Sequence, residues 1–428
     1  MNDESFRRAF AALVATCLLI ASCTDDSSDG VTGSKSPAPL TAGPPTAGSP
    51  SSGPTNTLSP VVTAVTSPTP SPTRSPIPSP SPSPSPSPSP VPSASPSAVA
   101  VPANGVLLPA SEAERATRHP IAVMIDDLSP ARPQSGLSTA DIVYHAPAEG
   151  GIPRYMALYQ AGDAEEVGPV RSTRRYYIGW AAEWNALLAH VGGSPDALEY
   201  LRQVDGELVY DADEYVYGGS AGYFRRIRRR VPPHNTYTST DLLRQLGEER
   251  GATAPFETPA WEFTDEAATD ERPTSGDLVV PYLANRVEYA YEPETNRYLR
   301  SVSAEGRQTD AANGERIAPA NVVVLFMKVR RLENTAETGN NIRKGRLDLQ
   351  YLGSGRALVF RNGEVIEARW SKPDDASSTR LGEVAGPRAG MPVQLVRGQI
   401  FIQIVSNATE VLVDGKPENG RRSAGIGG

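Results

Sequence analysis

From residue 106 onward the chain alternates short apolar runs with polar, turn-forming stretches, and the period of each run predicts an element. HPIAVMIDD carries an unbroken apolar stretch at Ile121–Ile125 that stops at paired aspartates, the pattern of a buried strand meeting a loop. ADIVYHA and RYMALYQ are two further strands, rich in β-branched and aromatic residues and parted by the turn cluster PAEGGIP. In RRYYIGWAAEWNALLAHV the residues Tyr177, Trp180, Ala181, Trp184, Leu187 and Leu188 recur at helical spacing, predicting a helix that passes into a strand at Leu188–Val191. Ser194 and Pro195 then open DALEYLRQV as N-cap and first helical residue, and YTSTDLLRQLGEERG reads as another capped helix stopped by Gly251. Alternating strands and helices predict an α/β domain over 106–251.

The period changes after a polar, turn-rich linker at 252–276. DLVVPYLA, RVEYAYE, NVVVLFMKV, RLDLQYL, RALVF, EVIEARW, PVQLV, QIFIQIV and EVLVD are short strands with little helix between them, with Arg361-Asn362-Gly363 and Val396-Arg397-Gly398 as hairpin turns. They predict a β-rich, sandwich or barrel-like domain over 277–415, followed by a flexible tail at 416–428.

The first hundred residues follow neither pattern. Arg7 and Arg8 precede an apolar run, Ala9 to Ile20, that is too short to span a bilayer and ends at Ile20-Ala21-Ser22-Cys23. Residues 1–22 therefore read as a signal peptide, and the surroundings of Cys23 resemble a bacterial lipobox, which predicts lipidation with palmitate among the acyl chains. From 23 to 105 the chain is Ser, Pro, Thr, Gly and Ala, a composition that cannot bury enough apolar surface to order itself. It predicts a disordered, extended tether of about 3.1 Å per residue where polyproline II prevails. Only Cys17 and Cys23 occur in the sequence, so loss of the signal and lipidation leave no thiol for a disulfide, a nucleophile or a metal site. A net charge of −8 speaks against nucleic-acid binding, although RRIRRR at 225–230 is a dense basic run. That run reads either as a solvated face or as a patch for anionic wall polymer or lipid headgroups.

The polar residues that suggest chemistry crowd into the first domain, as do all four histidines, His119, His145, His190 and His234. A serine hydrolase with Ser194 as nucleophile and His190 or His234 as base meets an obstacle in Pro195, which removes the backbone N–H expected to help an oxyanion hole. A metal site from Asp126, Asp127, Glu149, His190 and His234 lacks any local ligand spacing, and no metal or cofactor is expected. An anion cleft has more support. VGPVRSTRR supplies Arg171, Ser172, Arg174 and Arg175, HVGGSP supplies helix N-terminal amides, and side-by-side loops would form two walls. Against it stands an internal network in which these arginines pair with Asp126, Asp141 or Glu149.

The stretches ARPQSGLSTADIVYHAPAEGGIPRY, VGPVRSTRR, HVGGSPDA and PPHNTYTS together resemble the YerB-like family of bacterial lipoproteins, over most of 118–405. The resemblance implies a two-part domain of unknown function in the envelope of a Gram-positive bacterium. It points to Arg132, Pro133, Gln134, Ser135 and Gly136, to Glu149, Gly150, Gly151 and Arg154, and to Gly168, Pro169, Arg171 and Ser172. It further points to His190, Gly192, Gly193, Ser194, His234 and Asn235. His145 departs from the family pattern, where an acidic residue usually follows the tyrosine. The leading expectation is a membrane-anchored protein on the extracytoplasmic face that binds peptidoglycan or an anionic wall polymer. An envelope hydrolase using His190 or His234 with a carboxylate or metal, and a protein-interaction scaffold, stand as alternatives.

Overall fold

Strands that are apolar at every position need cover on both faces, and the fold supplies it around one large mixed sheet. The computed structural model describes residues 98–421 except 259, 304 and 336–338. The predicted signal peptide, Cys23, nearly all of the tether and the end of the tail lie outside the described residues. Before residue 252 the sheet strands are β1 (Ile121–Asp126), β2 (Ile142–Pro147), β3 (Pro153–Tyr159), β4 (Leu187–His190) and β5 (Tyr210–Asp213). After it come β6 (Leu278–Pro281), β7 (Arg286–Glu292), β8 (Arg297–Val302), β9 (Gly306–Arg307) and β10 (Asn321–Met327). These are followed by β11 (Gly353–Arg361), β12 (Glu364–Lys372), β13 (Arg380–Glu383), β14 (Ile400–Ser406), β15 (Val411–Val413) and β16 (Lys416–Glu418).

The ten-stranded sheet runs β13-β12-β11-β10-β14-β2-β3-β1-β4-β5, and a six-stranded sheet runs β9-β8-β7-β6-β15-β16. The two halves of the chain are joined by the parallel pairing of β14 with β2, in which Phe401 lies opposite Val143. Only β3 interrupts the parallel strands at the centre, pairing antiparallel with β1 and β2. Consequently β1, β2 and β4 end on the same edge of the sheet, and β3 begins there.

Side chains alternate cleanly between two cores. One face packs Ala122, Met124, Tyr144, Met156, Leu325 and Ile402 against Tyr177, Trp180 and Leu201 of helices α1 (Arg175–Ala182) and α2 (Pro195–Val204). On the other, Val123, Tyr155, Val324 and Phe401 meet Leu243 and Leu246 of α3 (Thr240–Arg250) and the six-stranded sheet through Leu278, Val280, Val287 and Tyr298. Each buried aliphatic side chain contributes about 1.5–3 kcal/mol.

Local signals act largely as their chemistry predicts. The Ser239 hydroxyl accepts from Leu242 N at 3.3 Å to cap α3, and Gly251 closes that helix at φ +80°. Asn362 and Gly363, both at positive φ, make the two-residue turn between β11 and β12.

Five expectations are corrected. The tether gives way to order before residue 105, since Ala98–Ala100 is a strand and Val101 and Ala103 are fully buried, and the tail is ordered at its start, where β16 pairs with β15. Val396-Arg397-Gly398 is no hairpin, because Gln394–Val396 runs parallel to Glu262–Thr264 before the chain enters β14. The stretch 252–276 is packed onto the body, with Trp261 buried and its indole N–H donating to Thr379 O at 3.0 Å. The β-rich half is not a self-contained barrel: β10 to β14 extend the main sheet, and the remaining strands cover it as a second layer. β10 and β14 are buried along almost their whole length, so a central position in a covered sheet suits them better than one wall of a separate sandwich.

Candidate functional site

The paired aspartates at the end of β1 serve two different environments, one on each face of the sheet. Asp126 faces the helices. Its Oδ2 lies 2.7 Å from His234 Nδ1 and 3.0 Å from Arg171 Nε. Burial alone would raise the Asp126 carboxyl, but the hydrogen bond from His234 and the charges of Arg171 and Arg154 hold it below its ordinary value.

A second carboxylate sits beside it. Glu149 accepts from Arg154 Nη2 at 2.7 Å and from Arg174, while Arg154 Nη1 donates to Ser172 O at 2.9 Å. Burial pushes the Arg171 guanidinium down, a trend Arg154 reinforces, and the same two influences bring Arg174 down to about 10. Three guanidiniums thus share two carboxylates at the strand ends. Neither terminal nitrogen of Arg171 is held by a hydrogen bond or ion pair among the described residues, and a fifth of that side chain reaches solvent.

The two loops expected to form the walls do lie side by side. Val191 N donates to Arg171 O at 3.1 Å and Thr173 N to Gly192 O at 3.0 Å, continuing the sheet past β4. Gly192 holds φ +57°, and a Cβ there would approach Tyr215 Cε2 to 2.9 Å. Gly192→Ala should therefore destabilise the protein by about 1–3 kcal/mol in urea unfolding, through backbone strain and the displaced ring. A change within 0.5 kcal/mol would mean that the loop relaxes freely.

Ser194 occupies the N-cap position of α2 with Pro195 behind it, but its hydroxyl makes no capping bond. Ser194 Oγ, Thr173 Oγ1 and Asp196 Oδ1 are instead buried without a partner among the described residues. The first half of the cap reading holds, since the backbone enters the helix as predicted. The second does not, because the side chain turns inward.

His190 is close in sequence and differently employed. Its ring is fully buried, with Nδ1 2.9 Å from Gly192 O and Nε2 2.8 Å from Asp211 Oδ1. Both nitrogens are thus occupied in holding β4, β5 and the Gly192 turn together. His234 keeps Nε2 without a hydrogen bond among the described residues. Its neighbour Asn235 has a buried Oδ1 with no partner there.

Asp127 organises the other face. Its carboxylate accepts from Arg132 Nε at 2.8 Å, Asn285 Nδ2 at 2.7 Å and Gln134 Nε2 at 3.1 Å, and it faces His145 Nε2 at 2.9 Å. His145 Nδ1 meets Gln403 Oε1 at 3.0 Å, Gln403 donates to Tyr289 OH at 2.9 Å, and Arg300 Nε donates to the same hydroxyl at 3.0 Å. Arg300, wholly buried, stands over the rings of Tyr155, Tyr289 and Phe401. This chain cements the two sheets. Sequence reasoning named Asp127, Arg132, Gln134 and His145 singly but missed the chain they form, because bonded partners such as His145 and Gln403 lie 258 residues apart.

The predicted residues therefore divide. Glu149, Arg154, Arg171, Ser172, Arg174 and His234 gather in one hydrogen-bonded cluster around Asp126, with the Gly192–Ser194 turn bonded alongside it. Arg132 and Gln134 belong to Asp127, and Arg132 also borders a separate surface pocket of about 420 Å³ with Glu305 and Gln308. Ser135 donates to Glu166 at 2.8 Å. The basic run is largely tied down: Arg225 and Arg229 pair with Glu166, Arg226 with Glu214, and Arg230 donates to the carbonyls of Pro130, Arg132 and Pro133.

Comparison with known proteins matches both halves of the chain. Residues 108–253 match the family described as "Protein of unknown function (DUF3048) N-terminal domain", and residues 278–402 its C-terminal counterpart. The "Putative lipoprotein YerB" of Bacillus subtilis (strain 168) is 32% identical over 296 residues, 67% of this chain and 81% of that protein. The crystal structure of the YerB protein from Bacillus subtilis is similar at a TM-score of 0.60 and 30% identity, covering 72% of this chain and 96% of that one.

Proposed function

Since the chain belongs to the YerB-like family of bacterial lipoproteins, we propose that it is anchored through Cys23 on the outer face of the membrane. Its cleft there binds an anionic group of an envelope component. The carrying observation is the imbalance around Arg171: among the described residues Arg154, Arg171 and Arg174 pair only with Asp126 and Glu149, and the Arg171 fork is left open. Buried cations whose proton affinity is already depressed gain from an added negative charge, and a guanidinium fork suits carboxylate or phosphate. The proline-rich tether supports this reading by giving an anchored body reach into the wall.

Arg171→Gln in the full-length protein tests it. The expected result is at least a tenfold loss of affinity for inorganic phosphate in calorimetry, about 1.4 kcal/mol, and loss of retention on purified cell wall, in a variant that circular dichroism shows to be folded, since Asp126 loses one cation and keeps His234. Unaltered phosphate affinity would refute the assignment of the cleft.

One observation favours a second reading, a hydrolase of the same material. Asp126 orients His234 through Nδ1 and leaves Nε2 open, as a carboxylate-held general base requires, whereas His190 has no free nitrogen. Release of soluble fragments from purified wall, stopped by His234→Ala, would replace binding by catalysis as the function.

A further inference from the structure

Tyr215 is three-quarters exposed, and its neighbour Val216 is exposed as well. It lies in the short helical turn Glu214–Tyr217, where Asp213 Oδ1 accepts from Tyr215 N at 3.2 Å. The same oxygen accepts from Gly192 N at 2.9 Å. One carboxylate therefore fixes the Tyr215 turn to the Gly192 turn, and the missing side chain at Gly192 gives the ring a seat. Gly192 in turn is hydrogen-bonded to the Arg171–Thr173 segment, so the Gly192 turn lies between the Tyr215 turn and the segment that carries the open guanidinium and is bonded to both. The ring edge rests over Gly192, and a ring restricted by such a contact loses less entropy when it is used.

We propose that Tyr215 is a stacking platform and that the ligand of the cleft is an acidic sugar. One face of a pyranose ring would lie on Tyr215 while its carboxylate or phosphate group enters the Arg171 fork. The inference rests on the anion-binding reading and deepens it. A pyranose offers an apolar face of C–H bonds beside a polar rim, which is what an exposed aromatic face next to a cation selects. An acidic peptide would satisfy the arginine but has no need of a flat rigid ring. The shared chemistry is a ring sugar bearing one negative group, available either as a carboxylated sugar or as a sugar phosphate.

The test is calorimetry on the full-length protein with five probes: a hexuronate trisaccharide, a hexose phosphate, a neutral trisaccharide, triglutamate and inorganic phosphate. At least one acidic sugar should bind at least tenfold more tightly than phosphate, triglutamate or the neutral sugar. Tyr215→Ala should remove that advantage and leave phosphate affinity within twofold, while Tyr215→Trp should retain it. A preference for the hexuronate or for the hexose phosphate fulfils the proposal and identifies the source. Acidic sugars that bind no better than phosphate, triglutamate that matches them, or sugar affinity indifferent to Tyr215→Ala would each overturn it. Arg171→Gln separates the anion site from the sugar preference. If it leaves phosphate binding intact, the anion site itself fails; if it abolishes phosphate binding while Tyr215→Ala changes nothing, only the sugar assignment fails.

Discussion

Replacing Lys372 by methionine is expected to lower the free energy of unfolding by about 3–5 kcal/mol. Lys372 ends β12 with its side chain wholly buried, and its ammonium donates to Glu183 Oε2 at 3.2 Å, Asp375 O at 3.1 Å and Ser377 O at 2.5 Å. Glu183 follows α1 in the first half of the chain and also accepts from Thr379 N at 2.7 Å, Thr379 Oγ1 at 2.8 Å and Tyr144 OH at 2.5 Å. Burial and then the Glu183 charge push the Tyr144 hydroxyl well above its ordinary value, so it stays a donor. Methionine fills the volume but leaves a buried carboxylate without its cation, and desolvation then goes uncompensated. Because Glu183 belongs to the first matched region and Lys372 to the second, the loss should appear in one cooperative transition followed by both circular dichroism and tryptophan fluorescence. The double variant Glu183→Gln, Lys372→Met should recover part of the loss, since it removes both charges. A single-variant loss below 1 kcal/mol would mean that water or a local rearrangement replaces the ammonium.

How far sequence reading carries can be judged element by element. Amphipathic and β-branched patterns located β1 to β4, α2 and α3 because each rests on neighbouring residues alone. Strand order was not legible, since the pairing of β14 with β2 joins residues about 258 positions apart and leaves no local trace. A signal was nevertheless present: NVVVLFM and QIFIQIV are apolar nearly throughout, whereas RVEYAYE alternates. Continuous burial belongs to central strands and alternation to a layer with one open face, as β10, β14 and β7 respectively turn out to be. In the cleft, residue type and order sufficed to bring Arg171, Glu149, Arg154 and His234 forward, but not to tell His234 from His190. That difference depends on Asp211 and Gly192 O occupying the His190 ring, a matter of tertiary placement. Ser194 shows the same limit at a smaller scale, since its N-cap backbone follows from Ser-Pro and its rotamer does not.

Asp127→Asn is expected to lower stability at pH 7 by about 3 kcal/mol, and the gap from the natural protein should narrow as the pH falls below 4. Burial alone would raise the Asp127 carboxyl. The hydrogen bond from His145 and the charges of His145, Arg132 and Arg300 outweigh burial and hold it well below the ordinary value of 3.8. In acid the unfolded chain takes up a proton at this position before the folded chain does, so the stabilisation is complete above pH 4 and is lost as the pH drops toward the folded value. His145 acts in the same sense at higher pH. Burial, more than Asp127 can offset, pushes its imidazole below 6.5, so below that pH protonation favours the unfolded chain. The natural protein should therefore lose stability in two stages, one beginning near pH 6.5 and one near pH 4. Asparagine keeps an acceptor for Arg132 but removes the charge that faces the buried Arg300, so the second stage should flatten. Urea unfolding at pH 7, 5 and 3 reads both effects, and a gap of constant size across these values would show that the Asp127 charge contributes nothing to holding the two sheets together.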